Sequence, residues 1–118
     1  MDVRIYHNPR CSKSRQTLEL LRQRGIEPVI VEYLKTPPSI PELEDMLEKL
    51  SLDPRQLMRT NEPEYKTLGL DQPERTRQEL IQALHDQPQL LQRPVVVTSQ
   101  AAAIGRPPEQ VLEILPRG

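Results

Sequence analysis

The residues best suited to chemistry lie in one run, His7-Asn8-Pro9-Arg10-Cys11-Ser12-Lys13-Ser14-Arg15, which holds the chain's only cysteine. Before it, Val3-Arg4-Ile5-Tyr6 alternates as a strand with one buried face does, and the first strand is expected over Met1 to Tyr6. After it, Ser12 to Arg24 reads as a helix with Leu18 and Leu21 inward, closed by Gly25. The thiol therefore sits where a strand hands over to a helix. The first amides of a helix have no intrahelical partner and the macrodipole is positive there, so the thiolate is favoured over the thiol. Arg10, Lys13, Arg15 and His7 add positive or protonatable groups, and every nearby influence is expected to lower the Cys11 pKa. A solitary cysteine is often only a small buried hydrophobe. Here Arg10, Ser12 and Lys13 flank it in place of an apolar run, which points to a reactive thiolate at an accessible loop end.

With no second cysteine, an internal disulfide cannot form, and Ser14 stands where a resolving cysteine would lie. The electrons for any redox cycle must come from an outside thiol. A phosphatase loop would need an arginine six residues after the cysteine, where this chain has Thr17. Three further arginines stand at expected element boundaries in segments poor in acids: Arg59, Arg93 before Pro94, and Arg106 before Pro107. Fixed cations of this kind offset the repulsion between an anion and a thiolate. Spacing alone leaves each of them equally readable as a solvated surface residue.

The elements that must position these groups follow in order. Pro28 to Leu34 is rich in β-branched residues, and a strand-helix-strand unit of this length implies a parallel pair with a right-handed crossover. Ser39-Ile40-Pro41-Glu42 is a capping box before Leu43, Met46, Leu47 and Leu50 at helical spacing, and Asp53-Pro54-Arg55-Gln56 opens a short helix. Met46 and Met58 read as core filler rather than ligands. Residues 60–75 are polar with one short apolar turn, and Thr76 caps a helix with Leu80, Ile81 and Leu84 inward, where His85 does no more than favour the dipole. Val95-Val96-Val97-Thr98 reads as a central strand buried on both sides, paired antiparallel with Ala101 to Ile104. Gly105-Arg106-Pro107-Pro108 opens a last helix with Val111, Leu112, Ile114 and Leu115 inward. The order is β-α-β, a helical block inserted over about 39–87, then β-β-α, which fits an α/β fold of thioredoxin-like (glutaredoxin-like) type with a mixed sheet.

Composition narrows the classes further. At 118 residues the chain has room for a single domain, 1–118, burying about two-thirds of its unfolded surface. With three Tyr and no Phe or Trp the core must be aliphatic. Sixteen basic against 17 acidic residues leave a net charge of −1, so no global field favours nucleic acid or an anionic membrane. No apolar stretch approaches the roughly 20 residues of a membrane span, and one cysteine suits a reducing cytoplasm. Of thirteen prolines, Pro37, Pro38, Pro54, Pro63, Pro73, Pro88, Pro94, Pro107 and Pro108 fall between periodic segments or at their first positions, where a missing amide costs little.

Taken together, His7-Asn8-Pro9-Arg10-Cys11 after a strand, Leu57-Met58-Arg59-Thr60-Asn61-Glu62, Leu91-Gln92-Arg93-Pro94-Val95-Val96-Val97 and Gly105-Arg106-Pro107-Pro108-Glu109 resemble the ArsC-type, glutaredoxin-linked arsenate reductase family, in order over nearly the whole chain. The resemblance implies that Cys11 is the nucleophile, that His7 helps keep it ionised, that Arg59, Arg93 and Arg106 hold the oxyanion, and that Arg93-Pro94 is a cis peptide. It further implies arsenate as substrate, glutathione as co-substrate with no bound cofactor or metal, and glutaredoxin as the partner that clears the mixed disulfide. Two other classes compete. An Spx-type regulator binding RNA polymerase shares the fold, but Ser14 denies this chain the paired-cysteine switch. A general glutathione-linked thiol oxidoreductase would use Cys11 without needing all three arginines.

Overall fold

The computed structural model describes residues 2–115. They form two compact units, one running up to Thr36 and resuming at Arg93, the other spanning residues 37–92.

The first unit is built on a four-stranded mixed sheet. Its strands are β1 (Arg4–His7), β2 (Val29–Glu32), β3 (Val95–Val97) and β4 (Ala102–Ile104), in the order β2-β1-β3-β4. β1 pairs parallel with β2, and β3 pairs antiparallel with both β1 and β4. Helix α1 (Ser12–Gln23) makes the crossover between β1 and β2 and ends at Arg24, after which Gly25 takes φ 77°. A left-handed conformation at that point is where glycine escapes the Cβ penalty. Strand β1 differs from the expected half-buried strand. Ile5, Tyr6 and His7 are buried in succession, because β1 lies between two neighbours and both of its faces are covered. The start expected at Met1 lies outside the described residues. β2 is shorter than expected and is an edge strand, with Val29 60% exposed despite its β-branched side chain.

One core of this unit gathers Val3, Ile5, Leu18, Leu21, Val96, Val111 and Leu115. Val111 comes from Pro108–Ile114, with Leu115 directly after it; this segment is a 3-10 helix rather than the expected α-helix and packs against α1 and β4. Two prolines at its opening withhold amides from the first turn. Val111 and Leu115 turn inward as expected, whereas Leu112 and Ile114 are only partly buried.

The second unit carries α2 (Ile40–Leu50), α3 (Pro63–Thr67), α4 (Arg77–Asp86) and the 3-10 turns Pro54–Leu57 and Pro88–Leu90. The capping boxes read from Ser39-Glu42 and Thr76-Glu79 are both formed, and Asp53-Gln56 makes a third. Helix α3 lies where the sequence offered only an apolar turn. The polar loop after it is held by Arg55, whose Nε donates to the Leu70 carbonyl at 3.0 Å, and by Arg75, whose Nε donates to the Gly69 carbonyl at 3.1 Å. His85 has a more specific task than the helix dipole: its Nδ1 lies 2.7 Å from the Pro38 carbonyl, tying α4 to the segment before α2. Met46 and Met58 are both core residues at 1% exposure. No helix among the described residues is long and apolar enough to cross a membrane.

Leu21 is fully buried in the first unit's core and Val29 is not. Leu21→Ala is therefore expected to lower unfolding stability by about 2 to 5 kcal/mol. Val29→Ala should change it by no more than about 0.5 kcal/mol. Urea unfolding followed by far-ultraviolet circular dichroism distinguishes the two.

Candidate active site

β1 ends at His7 and the chain turns at once. The Cys11 amide donates to the Asn8 carbonyl at 3.0 Å, closing a turn over Asn8-Pro9-Arg10-Cys11, and the Arg10 amide donates to Asn8 Oδ1 at 3.0 Å. Arg15 braces the same turn, its Nη1 donating to the Pro9 carbonyl at 2.9 Å. Cys11 is then the N-cap of α1, extended at φ −93° and ψ 122°. Its side chain stands where the capping oxygen of a Ser or Asp usually stands. No side-chain capping hydrogen bond is formed in this state of the thiol.

The ionisation of Cys11 is a contest with a definite outcome. Burial is the largest influence and raises the pKa, which corrects the expectation that every neighbour lowers it. The Ser14 amide, the Arg93 guanidinium and the Lys13 amide act the other way, and together they bring the thiol below its ordinary value. Lys13 thus contributes through its backbone, and the cation that matters most is Arg93, distant in sequence. The sulfur remains partly exposed.

His7 and Ser14 form a buried pair, Nδ1 and Oγ 2.6 Å apart, and Ser14 Oγ also accepts from the Asn8 amide at 3.0 Å. Burial is the main cause that pushes the His7 ring below its ordinary value of about 6.5, with Glu32 opposing and Arg22 and Arg15 assisting, so the imidazole is neutral at pH 7. His7 therefore brings no positive charge to the sulfur. Through Ser14 it holds the first turn of α1 to the end of β1.

The β3-β4 hairpin delivers two arginines to this end of the sheet. Val95 pairs with Ile104, and the ladder continues one step to Pro94, whose carbonyl accepts from the Gly105 amide at 2.9 Å. Arg93 and Arg106 consequently lie side by side, and Arg106 Nε donates to the Arg93 carbonyl at 2.8 Å. Arg106 Nη2 reaches the Cys11 sulfur at 3.8 Å. Because β1 and β3 are antiparallel, with Tyr6 opposite Val95, the end of β1 and the start of β3 coincide, which is why these residues meet. The Arg93-Pro94 peptide is cis, as the family resemblance implied, and so is Arg106-Pro107. A Cβ on Gly105 would collide with Thr17 Oγ1 and would stand 2.8 Å from Pro94 Cγ, so only glycine lets the hairpin approach α1 this closely.

Arg59 belongs to the second unit. Its amide donates to the Leu90 carbonyl at 2.7 Å, its Nε lies 3.5 Å from Glu62 Oε1, and its Nη1 is buried without a partner. The expected scarcity of acids around it is corrected by Glu62. Two residues to which the sequence reading gives no role of their own complete the first unit's site. Asn8 shapes the turn, and Tyr33, just beyond β2, is fully buried, with Arg93, Asn8, Cys11 and Arg106 the groups that act on its hydroxyl. In the sequence Tyr33 is only one more residue of the strand expected over Pro28 to Leu34.

Sheet order, crossover and hairpin define an α/β protein of thioredoxin-like fold that presents a single activated thiolate beside two arginines. The ArsC family model matches residues 6–114. The chain is 53% identical over 114 residues to the uncharacterized protein YfgD of Escherichia coli, covering 96% of each. It is 49% identical over 116 residues to an arsenate reductase of Haemophilus influenzae, covering 98% of this chain and all of the relative. The solved arsenate reductase of Vibrio cholerae superposes with a TM-score of 0.94 at 48% identity, covering 98% of each chain. This chain belongs to the ArsC family.

Alkylation of Cys11 by iodoacetamide, followed against pH, is expected to reach half its maximal rate below the range of an ordinary thiol. Arg93→Ala should move that midpoint upward, since it removes a bond and a charge that favour the thiolate. Gly105→Ala is expected to cost about 1 to 3 kcal/mol in thermal or urea unfolding through overpacking against Thr17 and Pro94.

Proposed function

We propose that this protein is an arsenate reductase in which Cys11 is the nucleophile, glutathione the reductant and glutaredoxin the partner that restores the free thiolate. The observation that carries this reading is the meeting of Cys11, Arg93 and Arg106, with Arg106 Nη2 3.8 Å from the sulfur. An activated thiolate beside two guanidinium groups suits attack on an oxyanion, because the cations offset the repulsion between two negative groups and stabilise charge in the transition state. Family membership, and the names of the Haemophilus and Vibrio relatives, support arsenate as that oxyanion.

In the proposed cycle the Cys11 thiolate forms a bond to arsenic(V) and an arsenate oxygen leaves as water after protonation. Glutathione thiolate then attacks the adduct at the Cys11 sulfur. The sulfur–arsenic bond breaks with its electron pair passing to arsenic, which departs as arsenite, arsenic(III). The two sulfurs are oxidised to a Cys11–glutathione disulfide, and a glutaredoxin thiolate takes the glutathione and releases Cys11. The external thiols are required because this chain has one cysteine and Ser14 where a second could serve. Arg93 and Arg106 hold the anion, and the neutral His7 with Ser14 keeps the helix start aligned with the strand end. Such a cycle suits a reducing cytoplasm.

Arsenate-dependent NADPH oxidation, with glutathione, glutaredoxin and glutathione reductase supplied, is expected for the native chain and should vanish in Cys11→Ser. Arg106→Ala should lower kcat/KM for arsenate by about a hundredfold. Exchange of Cys11 with a simple disulfide should change far less. Absence of turnover in the native chain, with the coupling enzymes verified, would overturn the assignment.

A further inference from the structure

Tyr33 presents a problem in polar bookkeeping. Its side chain is fully buried and its hydroxyl has no hydrogen-bond partner. Buried hydroxyls are nearly always paired, because losing water without gaining a partner is costly, and an exception in a folded protein calls for an explanation. The Asn8 side chain is near enough to act on the Tyr33 hydroxyl, but as a donor, since its influence lowers the phenol pKa. Asn8 Oδ1 takes the Arg10 amide at 3.0 Å, and the Arg93 carbonyl takes Arg106 Nε at 2.8 Å. Arg93 has the same difficulty, its Nε being buried and without a partner. Two donors that lack an acceptor thus lie together in the surroundings of the Cys11 sulfur.

The placement of the ring follows from local structure. β2 ends at Glu32, and the chain turns through hydrogen bonds from the Lys35 and Thr36 amides to the Glu32 carbonyl, each 2.9 Å. That turn directs residue 33 inward, while Leu34 beside it is 48% exposed. Glu32 pairs in register with His7 at the end of β1, so the residue after it arrives at the level of Asn8. The groups that act on the Tyr33 hydroxyl are Arg93, Asn8, Cys11 and Arg106, which are the residues of the site itself.

We propose that Tyr33 is a further anion-binding residue of this site, its hydroxyl donating to an oxygen of the tetrahedral oxyanion that Arg93 and Arg106 hold at Cys11. This rests on the reading of the Cys11 site as an oxyanion site. Burial, the largest influence, pushes the phenol up to about 12, so it is a neutral donor throughout the working range. A donor of this kind adds direction rather than charge. It also explains why the hydroxyl is left unpaired in the free protein: its acceptor arrives with the substrate.

Tyr33→Phe removes the hydroxyl and keeps the ring. The test measures how far arsenate, or sulfate as a tetrahedral anion that is not reduced, slows iodoacetamide alkylation of Cys11, as the ratio of rates with and without anion, alongside the melting temperature. The native chain should be protected by both anions. Tyr33→Phe should need about tenfold more of either for the same protection, with a melting temperature unchanged or raised because no bond is lost in the free protein. Equal protection of the variant and the native chain would overturn the proposal. So would a fall of several degrees in melting temperature, which would show that the hydroxyl has a structural partner. If neither anion protects the native chain, the oxyanion reading fails and the proposal with it.

Discussion

A negative charge on a partly buried sulfur is the condition on which the first unit's arrangement depends. Burial alone would keep Cys11 protonated, and the opposing influences come from two parts of the chain. The first turn of α1 supplies the Lys13 and Ser14 amides, and Arg93 supplies the guanidinium. Dipoles and a fixed charge in a site of reduced dielectric outweigh desolvation only if they are held in place. The rest of the unit can be understood as the apparatus that holds them.

On the helix side the apparatus is a set of short bonds around residues 7–15. Ser14 joins the His7 ring and the Asn8 amide, while Arg15 ties the helix back to Pro9. A neutral His7 suits this task, since the cost of burying a charged ring at 6% exposure outweighs the attraction of Glu32. On the sheet side, the antiparallel register of β3 with β1 and β4 places Arg93 and Arg106 beside the sulfur without any long loop. Gly105 permits the close approach of that hairpin to Thr17, and the last helix with Leu21 fills the core behind it.

The same neighbourhood leaves the Tyr33 hydroxyl and Arg93 Nε unpaired. Preorganised donors without acceptors cost stability in the resting protein, and active sites are where such costs are commonly met. Donors left this way are ready for an acceptor, because they do not have to be pulled from other partners.

Much of the architecture could be read along the chain, because the forces involved act between near neighbours. The boxes at Ser39-Glu42 and Thr76-Glu79 span three residues, Leu18 and Leu21 mark a helix face within one turn, and three consecutive valines announce a central strand. Cys11 at a strand-to-helix junction belongs to the same class of inference, and the four motifs in order pointed to the family. Tertiary structure alone decided the rest. Burial of both faces of β1, the neutral state of His7, the Glu62 partner of Arg59 and the inward turn of Tyr33 depend on which strands become neighbours. Sequence credited both the first helix amides and the charged neighbours with the ionisation of Cys11; the folded chain does use the Lys13 and Ser14 amides, but its effective cation is Arg93, distant in sequence. Arg106 lies 95 residues from the sulfur it reaches. Local propensity is set by the few residues within a turn, but a pKa or a hydrogen-bond partner is set by everything within a few ångströms, and only the closed sheet brings those groups together.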